Sequence, residues 1–142
     1  MLRVTHLLAS KGKDLWSVDA ERPVLEAIQI MADRRVGALP VMRGGELVGV
    51  VSERDYARKV ILLGRSSAET AVWQIMSSPV ITVAPSETVR HCMEIMTERR
   101  IRHLLVVEGG VTVGMISIGD LVRAVIEEQK ETIEQLEKFI SG

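Results

Sequence analysis

Aromatic residues are scarce in this chain: they make up 3% of its 142 residues, whereas apolar residues of all kinds make up 46%. The core is therefore expected to be aliphatic, built from Val, Ile, Leu, Met and Ala. An excess of charge of either sign is also lacking, since 18 Lys and Arg residues face 19 Asp and Glu residues. With few rings to stack on bases and no basic footprint, the composition argues against binding to nucleic acid or to an anionic membrane.

Cysteine is nearly absent too, and the single Cys92 excludes an internal disulfide. It falls on the apolar stripe of a predicted helix, where we expect an inert, buried thiol in a reducing compartment. No apolar run approaches the ~20 residues that a membrane span needs, and the amino terminus has no apolar secretion segment. We therefore expect a cytoplasmic protein that does not associate with membranes.

Catalytic and metal-binding motifs are missing as well. The sequence has no G-x-S-x-G, no H-E-x-x-H and no Walker glycine loop. Its three histidines, His6, His91 and His103, lack the spacing of metal ligands. We expect a protein that is not an enzyme and that needs neither a metal nor a catalytic cofactor.

What the sequence does contain is one unit written twice. Residues 49–55 (GVVSERD) return as residues 114–120 (GMISIGD), and residues 18–61 align with residues 83–126 without a gap. The identical pairs include Met31/Met96, Arg34/Arg99, Arg35/Arg100, Leu39/Leu104, Gly44/Gly109, Gly45/Gly110, Gly49/Gly114, Ser52/Ser117 and Asp55/Asp120. So many matches at one offset indicate an internal repeat.

Each unit reads as strand, helix, strand, strand, helix, which predicts an α+β fold with an α/β-like appearance. In the first unit we expect strands at 15–18, 38–42 and 47–51, a helix from Pro23 and a helix at 53–63. In the second we expect strands at 80–83, 104–107 and 111–116, a helix from Ser86 and a helix from 118 to about 129. A Gly-Gly pair between the last two strands of each unit favours a tight hairpin. Units of this size are marginal alone, so we expect the two to pack with pseudo-twofold symmetry.

A short amphipathic helix is predicted before each unit. Its apolar residues share the i, i+3, i+4 spacing. They are Val4, Leu7 and Leu8 before the first unit and Val72, Ile75 and Met76 before the second. We expect each leader helix to pack on the repeat that it precedes. The expected domains are residues 1–64 (leader helix and repeat 1), 65–129 (linker, leader helix and repeat 2) and 130–142 (an extension of the last helix).

The last predicted helix carries a heptad-like seam. Ile126, Ile133 and Ile140 lie seven residues apart, with Gln129 and Leu136 between them. This spacing is typical of a coiled coil, although two heptads are too few for one that is stable alone. Two interpretations stay open: the helix folds back on its own domain, or it pairs with a second subunit.

The repeated serine and aspartate support two interpretations, which are compatible. Ser52-x-x-Asp55 and Ser117-x-x-Asp120 match a capping box, in which the hydroxyl and the carboxylate satisfy backbone N–H groups at a helix start. Alternatively, a carboxylate at the carboxyl end of a strand accepts hydrogen bonds from a ribose diol. The serine hydroxyl and free N–H groups at the helix start would then suit a phosphate.

The two units differ in charge beside the second strand. Arg102 and His103 stand in the second unit where the first has Gly37 and Ala38. If the strand alternates, one of the basic pair turns toward a cleft between the repeats. The sequence therefore predicts two unlike pockets.

The two units resemble tandem cystathionine-β-synthase (CBS) domains, a Bateman module, of the small stand-alone bacterial type. The resemblance covers residues 4–126 and rests on the doubled Gly-h-h-Ser-x-x-Asp motif, in which h is apolar, and on residues 36–41 (VGALPV) and 101–106 (IRHLLV). One departure is Leu105, where the family often has proline, as at Pro40.

This resemblance implies two β-α-β-β-α repeats that bind adenosine nucleotides, such as AMP, ATP or NAD, in the clefts between them. One implied pocket combines Ser52, Asp55 and the adjoining Arg54 with Arg102 and His103. The other combines Ser117, Asp120 and the adjoining Ile118 with Gly37 and Ala38. Ser17 or Val18 and Thr82 or Val83 would line the adenine. The pocket of Asp55 is expected to suit a charged phosphate or pyrophosphate better.

The leading hypothesis is a non-catalytic sensor: a homodimer that binds an adenosine nucleotide and signals energy or redox state to an unknown downstream protein. A structural dimerisation module whose clefts stay empty is the main alternative. Binding to nucleic acid is a third, which the composition disfavours.

Overall fold

The structure, a computed structural model, describes residues 1–11 and 14–141 of the chain. These residues form two compact units, one from residues 14–81 and the other from residues 1–11 together with 82–141. Each unit contains one three-stranded sheet and its helices, so the α+β fold class is confirmed.

The elements follow the predicted order in both repeats. Along the chain they are α1 (Val4–Lys11), β1 (Val18–Asp19), α2 (Val24–Arg34), β2 (Ala38–Arg43), β3 (Glu46–Ser52), α3 (Glu53–Tyr56), β4 (Thr82–Val83), α4 (Val89–Arg99), β5 (His103–Glu108), β6 (Val111–Ser117) and α5 (Ile118–Ser141). A π-helical turn, Ala57–Ile61, continues α3, and a 3₁₀ turn, Val72–Gln74, lies between the repeats. The first strand of each repeat is shorter than expected, with two residues.

The two sheets have the same topology. β1 runs parallel to β2, which pairs antiparallel with β3, and β4, β5 and β6 repeat this arrangement. The hairpins turn at Gly44 and Gly45 with φ of 57° and 80°, and at Gly109 and Gly110 with φ of 57° and 79°. Two successive positive φ values are what a two-residue hairpin needs, which is why glycine occupies these positions.

The helices α2 and α4 bury the apolar stripes that the sequence predicted. Val24, Ala27 and Met31 are buried on α2, and Val89, Cys92 and Met96 are buried on α4. The start of α4 was placed too early, at Ser86. The helix begins at Val89 because the Thr88 hydroxyl accepts a hydrogen bond from the His91 N–H at 3.1 Å and so caps it.

The leader segments do not pack as predicted. The amino-terminal segment lies on the second repeat, where the Val4 N–H donates to the Glu87 carbonyl at 2.9 Å and the Val89 N–H donates to the Leu2 carbonyl at 3.0 Å. The expectation that α1 packs on repeat 1 is therefore wrong.

The segment between the repeats lies on the first repeat in the same manner. The Val72 N–H donates to the Arg22 carbonyl at 2.9 Å, and Ser77 forms an antiparallel bridge with Val50 of β3. This segment contains a 3₁₀ turn and not the expected helix. Apolar pairs from both segments, Val4 with Leu7 and Val72 with Ile75, are buried.

The glycine of each repeated motif provides room for these segments. A Cβ atom at Gly49 would lie 2.5 Å from Met76 Sδ, and one at Gly114 would lie 2.5 Å from Leu8 Cδ2. Both distances are shorter than a carbon contact allows, so the glycines keep β3 and β6 open to a side chain from the covering segment.

The last helix is longer than a repeat requires. α5 runs for 24 residues, and every residue from Ile126 to Ser141 is exposed. It does not fold back on its own domain, so of the two interpretations that one is wrong. No helix in the described part of the chain is long and apolar enough to cross a membrane.

Candidate functional site

The first repeat places the motif serine and aspartate in a complete capping box. The Asp55 N–H donates to Ser52 Oγ at 3.1 Å, and the Ser52 N–H donates to Asp55 Oδ2 at 2.9 Å. The Ser52 hydroxyl also donates to Asp55 Oδ2 at 2.9 Å. The capping interpretation is confirmed here, and Oδ2 is fully used by the cap.

The second repeat forms the same box at the start of α5. The Ser117 N–H donates to Asp120 Oδ2 at 2.8 Å, and the Asp120 N–H donates to Ser117 Oγ at 3.2 Å. Both carboxylates therefore sit at the carboxyl end of a strand and are fixed by their own helix start.

A lysine contacts each of the two carboxylates, but the lysines come from different parts of the chain. Lys59 Nζ lies 3.2 Å from Asp55 Oδ1, one turn along the same helical segment. Lys11 Nζ lies 2.7 Å from Asp120 Oδ2, and Lys11 belongs to α1. Arg123 adds a second cation, with Nη2 2.6 Å from Asp120 Oδ1. Within its own compact unit, the Asp120 carboxylate thus has two cations in contact, whereas that of Asp55 has one.

These contacts set the ionisation of Asp120, whose side chain is 8% exposed. Burial on its own would raise the pKa of this carboxyl group. The hydrogen bonds from Lys11 and from the Ser117 backbone outweigh burial, so the pKa of Asp120 is lowered and the carboxylate is charged at neutral pH.

The backbone N–H groups at the two helix starts are less available than the sequence suggested. The Glu53 N–H donates to the Gly37 carbonyl at 3.0 Å, and the Ile118 N–H donates to the Arg102 carbonyl at 2.9 Å. The third N–H of each helix is used by the cap. The expectation of several free N–H groups for a phosphate is therefore wrong, and side-chain cations are the main anion ligands that each site can offer.

The residues that differ between the repeats lie beside the caps. Ala38 pairs with Ser52 across β2 and β3, and His103 pairs with Ser117 across β5 and β6. Ala38 is buried, whereas His103 is half-buried. Burial lowers the pKa of His103, the charges of Lys11 and Arg102 lower it further, and Asp120 opposes them. His103 is therefore mainly neutral at physiological pH.

In each pair of residues that we expected to line the adenine, one residue is exposed and the other is buried. Ser17 and Thr82 are exposed, whereas Val18 and Val83 are buried in the cores of their units. In each pair, therefore, only the side chain of the hydroxyl residue is accessible at the surface of its unit. Of the adjoining residues, Arg54 is exposed and Ile118 is half-buried.

Three cations at these sites were missed by sequence reasoning. Lys59 and Arg123 follow their aspartates by four and three residues, a spacing that places side chains on one helix face. This spacing was a signal in the sequence from which both contacts could have been predicted. Lys11 is 109 residues from Asp120, and the sequence offered no signal for their contact.

Neither a metal site nor a reactive thiol accompanies the caps. Across residues 1–11 and 14–141, no group of three or more His, Cys, Asp or Glu side chains could hold a metal ion. Burial, with a smaller effect from Glu87, raises the pKa of the Cys92 thiol to about 11, so Cys92 stays protonated.

Comparison with known proteins identifies the class. A family model for the CBS domain matches twice, at residues 11–61 and 72–127. The CBS domain-containing protein CBSX3, mitochondrial, of Arabidopsis thaliana is 41% identical over 149 residues, which cover 98% of this chain and 72% of that protein. The chain belongs to the CBS-domain family and is a tandem pair.

Solved structures of the family have the same fold. The CBS-domain containing protein ATU1752 from Agrobacterium tumefaciens is 35% identical, with a TM-score of 0.81 over 86% of this chain and 98% of that one. The CBS domain pair of MJ0100, solved with 5′-methylthioadenosine and S-adenosyl-L-methionine, is 24% identical, with a TM-score of 0.80 over 90% of this chain and 98% of that one. That second likeness shows the fold alone.

Proposed function

We propose that the protein is a non-catalytic regulatory module that binds an adenosine nucleotide at the Ser-x-x-Asp site of each repeat. AMP, ATP and NAD are the candidate ligands. Binding would signal energy or redox state to a downstream protein that the sequence does not name. The lone, protonated Cys92 is compatible with the reducing cytoplasm that we propose as its location.

The observation that supports this proposal most is the free acceptor capacity of Asp55, whose carboxylate is held in place by the cap. A carboxylate offers about four lone-pair positions. Asp55 uses Oδ2 for the cap, and among residues 1–11 and 14–141 only Lys59, at 3.2 Å, contacts Oδ1. An acceptor of this kind at the end of a strand suits a ribose hydroxyl, and the neighbouring lysine suits a phosphate.

A family member lends further support. The MJ0100 CBS pair was solved with two adenosine compounds, methylthioadenosine and S-adenosyl-L-methionine, which share the adenine and ribose expected here. Sharing of each pocket between repeats, with Arg102 and His103 near Asp55, stays a prediction. So does the preference of that pocket for a phosphate or pyrophosphate.

We further propose that the module acts as a homodimer. The apolar residues Ile126, Ile133, Leu136, Phe139 and Ile140 of α5 are each at least 56% exposed. A second copy of α5 would bury the same seam on both chains, because a twofold interface uses one surface twice.

Titration of the purified protein with AMP, ATP, NAD and S-adenosylmethionine, followed by amide NMR and by thermal shift, tests the binding proposal. The amides of Glu53 and Arg54 report on the first site, and those of Ile118 and Gly119 report on the second. A ligand at a hundred times its dissociation constant stabilises the fold by about 2.7 kcal/mol, or several degrees in melting temperature.

Asp55→Asn and Asp120→Asn test the assignment of the sites. Each variant keeps one oxygen for the cap but removes the charge, so we expect affinity at the altered site to fall about tenfold or more. Glu46→Gln and Glu127→Gln are matched controls, because both residues are exposed and neither lies at a helix start. If no ligand shifts either set of amides, the protein is better explained as a structural dimerisation module. Binding that survives both aspartate changes would reject the site but not the activity.

A further inference from the structure

Lys11 takes an acceptor position that a ribose would need at the second site. Its ammonium group donates to Asp120 Oδ2 at 2.7 Å and to the Met115 carbonyl at 2.7 Å. The Asp120 side chain is 8% exposed, whereas that of Lys11 is 37% exposed. The contact therefore joins a largely buried carboxylate to a lysine on a separate segment, α1.

The hydrogen bonds of Asp120 leave little room for a second ligand. Oδ2 accepts from the Ser117 N–H and from Lys11, which fills its two lone pairs, and Oδ1 accepts from Arg123. One position remains. A ribose diol that bonds to both oxygens needs one position on each, so it has to displace Lys11 from Oδ2.

The first repeat does not have this arrangement. There the second position on Oδ2 is taken by the Ser52 hydroxyl, which rotates freely, and Lys59 lies on Oδ1 at 3.2 Å. No cation competes for Oδ2 of Asp55 within the described residues of its own unit. The competition at Asp120 therefore comes from α1.

We propose that Lys11 is a specificity-determining residue of the second site, an internal competitor that disfavours neutral nucleosides; this rests on the proposed function. A nucleoside that displaces Lys11 leaves the ammonium with only the Met115 carbonyl. A nucleotide that does so brings an anion with which the ammonium pairs again. Lys11 thereby favours phosphorylated adenosine over adenosine.

The experiment compares adenosine with AMP by amide NMR titration of the full chain. The signals of Ile118 and Gly119 give the two dissociation constants at the second site, and those of Glu53 and Arg54 give them at the first. In Lys11→Met we expect adenosine to bind the second site about three- to tenfold more tightly, with a smaller change or a loss for AMP. The ratio of the adenosine dissociation constant to the AMP dissociation constant therefore falls at the second site and is unchanged at the first.

Two variants separate specificity from folding. Lys11→Arg keeps the cation and is expected to retain the wild-type ratio, and Lys59→Met removes a lysine from the first repeat and leaves the second-site ratio unchanged. An unchanged ratio in Lys11→Met, or equal weakening of both ligands, would make Lys11 a structural anchor and overturn the proposal. If the wild type binds neither adenosine nor AMP at the second site, this proposal fails, whereas the proposed function fails only if ATP, NAD and S-adenosylmethionine also leave both sets of amides unshifted.

Discussion

Asp55 and Asp120 each form a helix cap and are also the carboxylates that we propose as binding groups. In each repeat the cap uses chiefly Oδ2, through the backbone N–H of the motif serine. The cap fixes the direction of the other oxygen, which prepares it to accept a hydrogen bond at low entropic cost. Structural and functional interpretations of the motif therefore do not compete at the level of the residue.

His103 is expected to make stability depend on pH. Its pKa is lowered from 6.5, first by burial and then by Lys11 on α1 and by Arg102, the residue before β5, against the opposing effect of Asp120 on α5. Since the unfolded chain binds the proton more readily, stability falls as the pH drops through and below about 6.5. Urea midpoints measured from pH 7.5 to 5 should show this loss in the wild type and a flatter profile in His103→Gln.

The control for this titration is Gln135→Ala, because Gln135 is exposed and the change adds or removes no titratable group. Its profile is expected to follow that of the wild type. Parallel profiles for the wild type and His103→Gln would show that His103 does not contribute to the pH dependence.

At the scale of residues, the sequence predicted the capping serines and aspartates, but we did not predict the cations that contact the aspartates. The serine and aspartate lie three residues apart, so one helical turn determines their contact. Lys11 reaches Asp120 only because α1 packs on the second repeat, and a contact over that separation depends on tertiary structure.

At the scale of elements, the main question is which repeat is covered by the amino-terminal segment and which by the segment between the repeats. Both carry the same apolar spacing, and both repeats offer a strand glycine, Gly49 or Gly114, so the pattern predicts that a segment covers each repeat. It does not determine which segment covers which repeat. We predicted that each segment packs on the repeat that it precedes. The backbone hydrogen bonds instead assign the segment of Val4 to the second repeat and the segment of Val72 to the first.

A double-mutant cycle between Gly114 and Leu8 tests this packing. Gly114→Ala introduces a Cβ 2.5 Å from Leu8 Cδ2 and should destabilise the fold by about 1–3 kcal/mol. In a Leu8→Ala background the added methyl group enters the space that Leu8 vacates, so most of this cost should disappear. Chemical denaturation of the four proteins gives the coupling energy, expected at about 0.5–3 kcal/mol.

Met76→Ala provides the matched comparison, since Met76 lies over Gly49. Its effect and that of Gly114→Ala are expected to add. If Gly114 couples to Met76 and not to Leu8, α1 does not cover the second repeat in solution.

At the scale of the whole molecule, the sequence predicted a doubled α+β fold because repetition, hairpin glycines and apolar periodicity all agree. The sequence did not determine what the last helix packs against, since a heptad pattern is the same whether the partner is the helix's own domain or another chain. The exposure of α5 from Ile126 to Ser141 removes the first of these alternatives. Pairing of the seam with a second copy is the interpretation that we propose.

Disruption of that seam tests the proposed dimer. The chain has a mass of 15.7 kDa, and we expect sedimentation at twice that mass. Ile133→Glu places a charge on the seam of both copies and should weaken association by about 3 kcal/mol, or about a hundredfold in dissociation constant. Gln135→Glu adds the same charge to an exposed position off the seam and should leave the dimer intact. Two heptads are too short to pair alone, so we expect other surfaces of the chain to contribute to the interface. Two outcomes would show that α5 is not where two copies meet. In the first, the wild-type protein sediments as a monomer at high concentration as well as after 100-fold dilution. In the second, the Ile133→Glu variant dimerises as tightly as the Gln135→Glu variant.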